Sequence, residues 1–200
     1  MTDGADLNPD LLLHAYRQGI FPMAESRDDA TVFWVDPTRR GVIPLEGFHL
    51  SRRLAQTWRS GRFRTTSDQD FAGVMQGCAD RPETWISPAI LRVYAQLHTR
   101  GHAHSVEVWD GDLLAGGVYG VALGGAFFGE SMFSRRRDAS KIALAALVAR
   151  LRLAGFTLFD TQFLTPHLAS LGGVEITRTA FQRMLRAALA VQADFGGPDA

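Results

Sequence analysis

Glu130, Asp160 and Gln162 are the side chains of this 200-residue chain whose types and spacing suggest chemistry. Glu130 interrupts the apolar stretch Gly129-Glu130-Ser131-Met132-Phe133-Ser134, and Asp160-Thr161-Gln162 closes the stretch that begins at Phe156. An ionised carboxylate only accepts hydrogen bonds, whereas an amide offers an acceptor and two donors. Alternation along a strand sets Asp160 and Gln162 on one face, where they can act as one hydrogen-bonding unit that holds an amine or a carbonyl. Taken alone, an acid and an amide at a strand end also fit the plainer work of ordering the loop that follows. Glu130 alone would fit as the buried partner of an arginine.

The surrounding pattern indicates how these residues come together. From Ala103 to Trp109 apolar and polar residues alternate, Asp110-Gly111-Asp112 reads as a hairpin turn, and Leu113 to Tyr119 and Gly125 to Phe133 read as two further strands. Seven glycines fall within residues 111–129, a density that points to strands whose backbone is approached closely or bulged. A basic loop follows, then an amphipathic helix from Ala139 to Ala154 closed by Gly155, then a strand from Phe156 to Asp160. That order predicts a parallel crossover through the helix. Ligands bind at strand carboxyl ends in open α/β sheets, so Glu130 and the Asp160–Gln162 pair should face one crevice.

Upstream, Asn8-Pro9-Asp10 opens a helix that Gly19 stops, and Val42 to Leu45 is strand-like. Further helices are expected from Ser51 to Ser60, Asp70 to Ala79, Pro88 to Arg100 and Thr179 to Ala190, with a strand from Phe63 to Thr66. Residues 1–37, with the short aromatic and proline segments Phe21-Pro22-Met23 and Phe33-Trp34-Val35-Asp36-Pro37, read as a small subdomain leaning on a larger domain of residues 38–200. The tail from Asp194 is expected to fray.

Formal charge is zero, but it is segregated. Residues 39–64 hold seven arginines against one glutamate, and residues 135–152 hold five arginines and Lys141 against Asp138, whereas residues 1–30 hold six acids against two arginines. A neutral chain can in this way present a cationic face to a polyanion. The basic loop at the start of the crossover helix is an anion-receiving arrangement. A single cysteine, Cys78, excludes an internal disulfide and any multi-cysteine metal site. His98, His102 and His104 straddle a helix end and a strand without a thiolate or carboxylate to join them, so no metal is expected. No apolar run reaches membrane-spanning length and no secretory leader is visible, which reads as a cytoplasmic protein.

The crossover layout is that of the GCN5-related N-acetyltransferase fold, an α/β (α+β) mixed sheet with flanking helices. The glycine signature that lets those enzymes cradle a phosphate is replaced here by Ser134-Arg135-Arg136-Arg137-Asp138-Ala139-Ser140, which counts against coenzyme A. Tyr16 to Met23, His49-Leu50-Ser51-Arg52, Thr84-Trp85-Ile86, Gly101 to Trp109, Gly129 to Ser134, Ser140-Lys141 and Ala169-Ser170-Leu171-Gly172 follow one another in an order that resembles the leucyl/phenylalanyl-tRNA–protein transferases, from about residue 7 to about residue 188. The resemblance implies transfer of Leu or Phe, and Met more weakly, from aminoacyl-tRNA to the N-terminal Arg or Lys of a protein, marking it for degradation, without a cofactor.

By position, Asp160 and Gln162 correspond to the family's catalytic pair and Glu130 to the acid beside the reacting amine. The resemblance assigns the transferred side chain to an apolar pocket of Val118, Phe127, Met132, Leu144 and Phe159, and the terminal adenosine to Trp85. Met23 stands where some members carry an adenine-packing tryptophan, a weaker contact. Longer members also have an N-terminal stretch that is not seen here, so part of the small subdomain is expected to be missing. Phosphate contacts are expected from Arg39, Arg40, Arg52, Arg53, Arg62 and Arg64 in one segment and from Arg135, Arg136 and Arg137 in another. In aminolysis of the ester an amide is too weak a base to take the proton, so Gln162 reads as an orienting acceptor fixed by Asp160, the proton leaving through a ribose hydroxyl or water. A coenzyme A-dependent N-acyltransferase of the same fold and a non-catalytic RNA-binding module are the competing readings.

Overall fold

A computed structural model describes residues 2–3, 7–29 and 31–196. In chain order the elements are β1 (Thr2–Asp3), α1 (Pro9–Arg17), β2 (Phe21–Met23), β3 (Thr31–Val35), β4 (Arg39–Val42), α2 (Arg52–Arg59), β5 (Arg64–Ser67), α3 (Phe71–Ala79), α4 (Pro88–Thr99), β6 (Ala103–Asp110), β7 (Leu113–Leu123), β8 (Ala126–Ser134), α5 (Ala139–Leu153), β9 (Leu158–Gln162), α6 (Pro166–Ala169), β10 (Val174–Thr177) and α7 (Arg178–Leu189). The helices start where short polar side chains satisfy the first unpaired N–H groups: Asn8 accepts from Leu11, Ser51 from Leu54, Asp70 from Gly73 and Ser87 from Ile90.

Seven strands form one sheet in the order β10-β4-β9-β8-β7-β6-β5. Only the β8–β9 pair is parallel, and α5 makes the crossover between them. Two apolar layers cover the sheet. On one side Tyr16, Tyr94, Tyr119, Phe128 and Phe181 pack with α1, α3, α4 and α7; on the other Phe127, Leu144, Leu147 and Phe159 pack beneath α5. The glycines of β7 serve close approach: a Cβ on Gly120 would lie 2.2 Å from the carbonyl oxygen of Phe128. The mixed sheet with flanking helices is the arrangement expected from the sequence.

Three expectations change. The strand placed at Val42–Leu45 is Arg39–Val42, and β9 lies at Leu158–Gln162 instead of ending at Asp160. The short edge strand β10, which pairs with β4, has no counterpart in the sequence reading. The tail does not fray at its start: Phe195 is 3% exposed, stacks 4.3 Å from the His104 ring, and its carbonyl accepts from Arg150 Nε. The aromatic rings around it outweigh the Gly/Pro/Asp composition on which the fraying was based; residues 197–200 lie outside the described set. Residues 2–35 contribute a three-stranded sheet, β1-β3-β2, whose apolar side chains, with those of α1, join the larger core.

Candidate active site

Glu130 owes its position to a bulge. Tyr119 pairs with Ser131 and Gly120 with Gly129, so Glu130 is the extra residue of β8 and has no cross-strand partner. A bulge re-aims a side chain and loosens the ladder locally. Here it turns Glu130 towards α1 and α4, where Tyr16 donates to Oε1 at 2.7 Å and Tyr94 to Oε2 at 3.0 Å. The two hydroxyls also lie 2.5 Å apart. Tyr94 has one proton and two acceptors, the Tyr16 oxygen and Glu130 Oε2. When it donates to Tyr16, Oε2 is open to a substrate N–H.

Burial pushes the Glu130 carboxyl up to about 7, against the two tyrosine hydroxyls, which hold it down. Burial, followed by the nearby Glu130 charge, raises both tyrosines well above their ordinary value, so they remain donors. A carboxyl whose pKa is raised on folding stabilises most when protonated, and that stability is lost as pH rises through its folded value. The wild-type melting temperature should therefore fall between about pH 5 and 8 relative to that of Glu130→Gln; parallel curves from thermal denaturation across this range would contradict it.

Gln162 sits on a second bulge. Gly41 pairs with Gln162 and Val42 with Asp160, which leaves Thr161 as the extra residue of β9. Gln162 adopts φ of +57°, left-handed for a non-glycine residue, and its backbone N–H is held at 3.0 Å by Asp160 Oδ1. Its amide donates to Glu130 Oε1 at 3.1 Å, which leaves the amide oxygen free to accept. Gly41 makes room for this turn, since a Cβ there would meet the Phe163 carbonyl carbon at 2.6 Å.

Asp160 fixes Gln162 as expected, but it does not share a face with it. The bulge at Thr161 breaks the alternation on which the shared face rested, and Asp160 is fully buried. Both of its oxygens are taken by Arg40, Nε to Oδ1 at 2.8 Å and Nη2 to Oδ2 at 2.6 Å. Asp160 is a positioning residue that anchors the Gln162 backbone. Arg40, expected on tRNA phosphates, is 1% exposed; it lies between the rings of Phe21 and Phe181, at 4.8 and 4.3 Å, and donates to the Gly19 carbonyl. It cannot reach a phosphate.

Two cavities meet at Glu130 and Gln162. One, of about 80 Å³, is lined by Val118, Met132, Leu144, Phe159, Thr161 and Leu168 together with both polar residues. The other, of about 70 Å³, is lined by Phe21, Met23, Trp85 and Phe163 with the same two. Four of the five residues expected in the apolar pocket are there. Phe127 is not: it is fully buried beneath the sheet between Phe159 and Phe195 and lines neither cavity. Trp85 and Met23, distant in sequence, share one wall. Sequence reasoning missed Tyr16 and Tyr94 as partners of Glu130, because at helical spacing a tyrosine looks like core. It also missed Phe163, 47% exposed beside Gln162, and the Thr161 hydroxyl, which is buried in the cavity wall without a partner among the described residues.

The cationic residues do not form one surface. Arg39 on β4 and Arg64 on β5 are five strand spacings apart in the sheet order, roughly 24 Å. Arg39 pairs with Glu175, Arg53 with Asp138, and Arg62 and Arg136 both approach Asp110, while Arg64 lies over the Trp109 ring and Arg135 over Phe133. Arg52 and Arg137 are exposed. Asp110 at the β6–β7 hairpin draws Arg62 and Arg136 together, and Asp138 at the start of α5 draws in Arg53. Among the described residues no three His, Cys, Asp or Glu side chains are grouped to hold a metal, and no helix is long and apolar enough to cross a membrane.

The family model described as leucyl/phenylalanyl-tRNA protein transferase matches residues 42–186, and the model of that protein's N-terminal domain matches residues 5–38. A leucyl/phenylalanyl-tRNA–protein transferase of Ruegeria pomeroyi is 66% identical over 94% of this chain and 90% of its own length. One of Cereibacter sphaeroides is 64% identical over 96% and 90%. The crystal structure of FemX shares the fold, with a TM-score of 0.52 at 13% identity, over 88% of this chain and 68% of that one. With both models and close relatives matched along nearly its whole length, the chain belongs to the leucyl/phenylalanyl-tRNA–protein transferase family.

Proposed function

We propose that this aminoacyltransferase moves Leu or Phe, and Met more weakly, from aminoacyl-tRNA to the N-terminal Arg or Lys of an acceptor protein in the cytoplasm, creating a signal for degradation. One observation carries the reading: a small apolar cavity and an aromatic cavity both border the same carboxylate–amide pair, Glu130 and Gln162. The first suits an apolar side chain; the second suits the terminal nucleoside, stacked on Trp85 and Met23. The ester between them would then lie at the pair.

The reaction joins the acceptor's α-amine to the aminoacyl carbonyl carbon and releases the ribose hydroxyl. An α-amine has a pKa of about 7.7–8.0, so a useful fraction is neutral near pH 7. The amide oxygen of Gln162 accepts one N–H of that amine and aligns it. Glu130, with its carboxyl near 7, is well matched to take the proton that the attacking nitrogen sheds. Glu130 is preferred here over a ribose hydroxyl or water as the proton acceptor, because Tyr94 can turn from Oε2 to the Tyr16 oxygen. With Asp160 occupied by Arg40, Glu130 is also the acid nearest to an acceptor's cationic head.

Labelled leucyl-tRNA, incubated with peptides that begin with Arg or Ala, tests this directly. Transfer to the Arg peptide alone is expected, and none from labelled acetyl-coenzyme A; transfer from the coenzyme, or indifference to the first residue, would refute it. Selection among Leu, Phe and Met should be shallow, since an apolar pocket discriminates by about 1–3 kcal/mol per methylene. The KM for leucyl-tRNA should climb steeply with salt as phosphate contacts are screened, the logarithmic slope counting those contacts; a flat response would remove them.

A further inference from the structure

We propose that the cleft beside Met132, walled by Arg81, Arg135, Ser140 and His167, is a phosphodiester site for the tRNA strand just upstream of the aminoacylated nucleoside. The proposal rests on the transfer reaction above and adds to it a place for the RNA backbone. The cleft has a volume of about 360 Å³, and Met132 lines both it and the apolar cavity. Its far wall includes Ser134, four residues along β8 from Glu130, or roughly 13 Å on an extended strand. A strand that leaves the nucleoside along β8 would run beside it.

The groups around the cleft are those an anion would use. Arg81 is tethered through the Met132 carbonyl oxygen, and Arg135 donates to the Leu114 carbonyl oxygen while its guanidinium lies 5.1 Å from the Phe133 ring centre. A guanidinium has five N–H groups, so each tether leaves donors over. His167 Nε2 is buried and has no partner among the described residues. A buried polar atom without a partner is unfavourable, and a phosphate oxygen would satisfy it once Nε2 carries a proton to donate. The N-terminus of α5 reaches the cleft at Ser140 and adds a partial positive charge. One acid, Asp80, also lines the cleft, against the two arginines.

Burial and then Lys141 hold the His167 ring below its ordinary pKa, so it is neutral when the cleft is empty. The charged groups around it are Asp80 and Arg81 after α3, Arg135 in the basic loop and Lys141 on α5. An anion in the cleft would raise the pKa of His167 and draw a proton onto it.

Two measurements decide the matter. In the first, leucyl-adenosine, which lacks a phosphate, is compared with leucyl esters of the dinucleotide CA and the trinucleotide CCA. In the wild type kcat/KM should rise about tenfold at the step that adds the phosphodiester reaching the cleft. In His167→Ala and in Arg135→Ala the ratio between the longer and shorter donors should collapse towards one. An unaltered ratio in both variants, or a change in the KM for the acceptor peptide in its place, would overturn the site. In the second, unacylated CCA is titrated into the wild-type protein while the imidazole nitrogens are followed by NMR. A saturable shift of His167 towards the protonated form is expected, and a silent His167 would refute the proposal. This titration needs no turnover: loss of transfer from every donor with His167 still responding would refute the transfer reaction and leave the phosphate site standing.

Discussion

Arg40→Met should cost about 3–5 kcal/mol of folding stability, the usual penalty for leaving one member of a buried ion pair without its partner. Asp160 is fully buried, and among the described residues its oxygens accept hydrogen bonds from the Arg40 guanidinium and the Gln162 backbone N–H alone. Replacing both members with apolar residues, as in Arg40→Met with Asp160→Leu, should recover most of that loss, because well-packed apolar pairs are commonly as stable as the ions they replace. Activity should not recover with it. Without Asp160 Oδ1 the backbone N–H of the left-handed Gln162 loses its anchor, so the amide that aligns the amine is held less firmly. Urea denaturation and transfer assays on the single and double variants check this. A stable Arg40→Met, or a double variant that regains turnover along with stability, would show that the pair neither carries the fold nor anchors the site.

Glu130→Gln should lower kcat by about 10²–10⁴, the range expected when a positioned acid–base group is lost, while the KM for leucyl-tRNA stays within about threefold. The substitution keeps the shape, and the new amide can still face Tyr16 and Tyr94, but it cannot take a proton. The wild-type rate should rise with pH through about 7 as the carboxyl ionises, on top of the rise from the acceptor amine. In the variant the amine's contribution alone remains, so the acid limb becomes shallower. A variant with near-normal kcat, or one whose pH profile matches the wild type, would leave Glu130 with no part in proton transfer.

The sequence made some of this legible and hid the rest for physical reasons. Helix starts were readable because Asn8, Ser51, Asp70 and Ser87 cap their own helices within three residues. The crossover through α5 was readable because hydrophobic periodicity changes from two to helical spacing and back. The strand positions of Glu130 and Gln162 followed from that. Their orientation did not, because each stands at a bulge, and one extra residue in a ladder leaves no mark on composition. The Arg40–Asp160 pair spans 120 residues, and Arg40 lies within a basic run that from sequence looks wholly solvated. The same run misled the charge reading, since sequence neighbours on β4 and β5 end at opposite sides of the sheet. Phe127 and Phe159 were indistinguishable as apolar strand residues; only the sheet's layering shows that Phe127 points into the core beneath α5 and Phe159 borders the cavity.

The Arg40 guanidinium draws together three distant parts of the chain: the Gly19 carbonyl and Phe21 ring near the start, Asp160 on β9, and the Phe181 ring on α7. The cation is enclosed only where Gly19 and Phe21, β9 and α7 come together, so loosening α7 at Phe181 should be felt at the Gln162 amide as surely as loosening β9 itself.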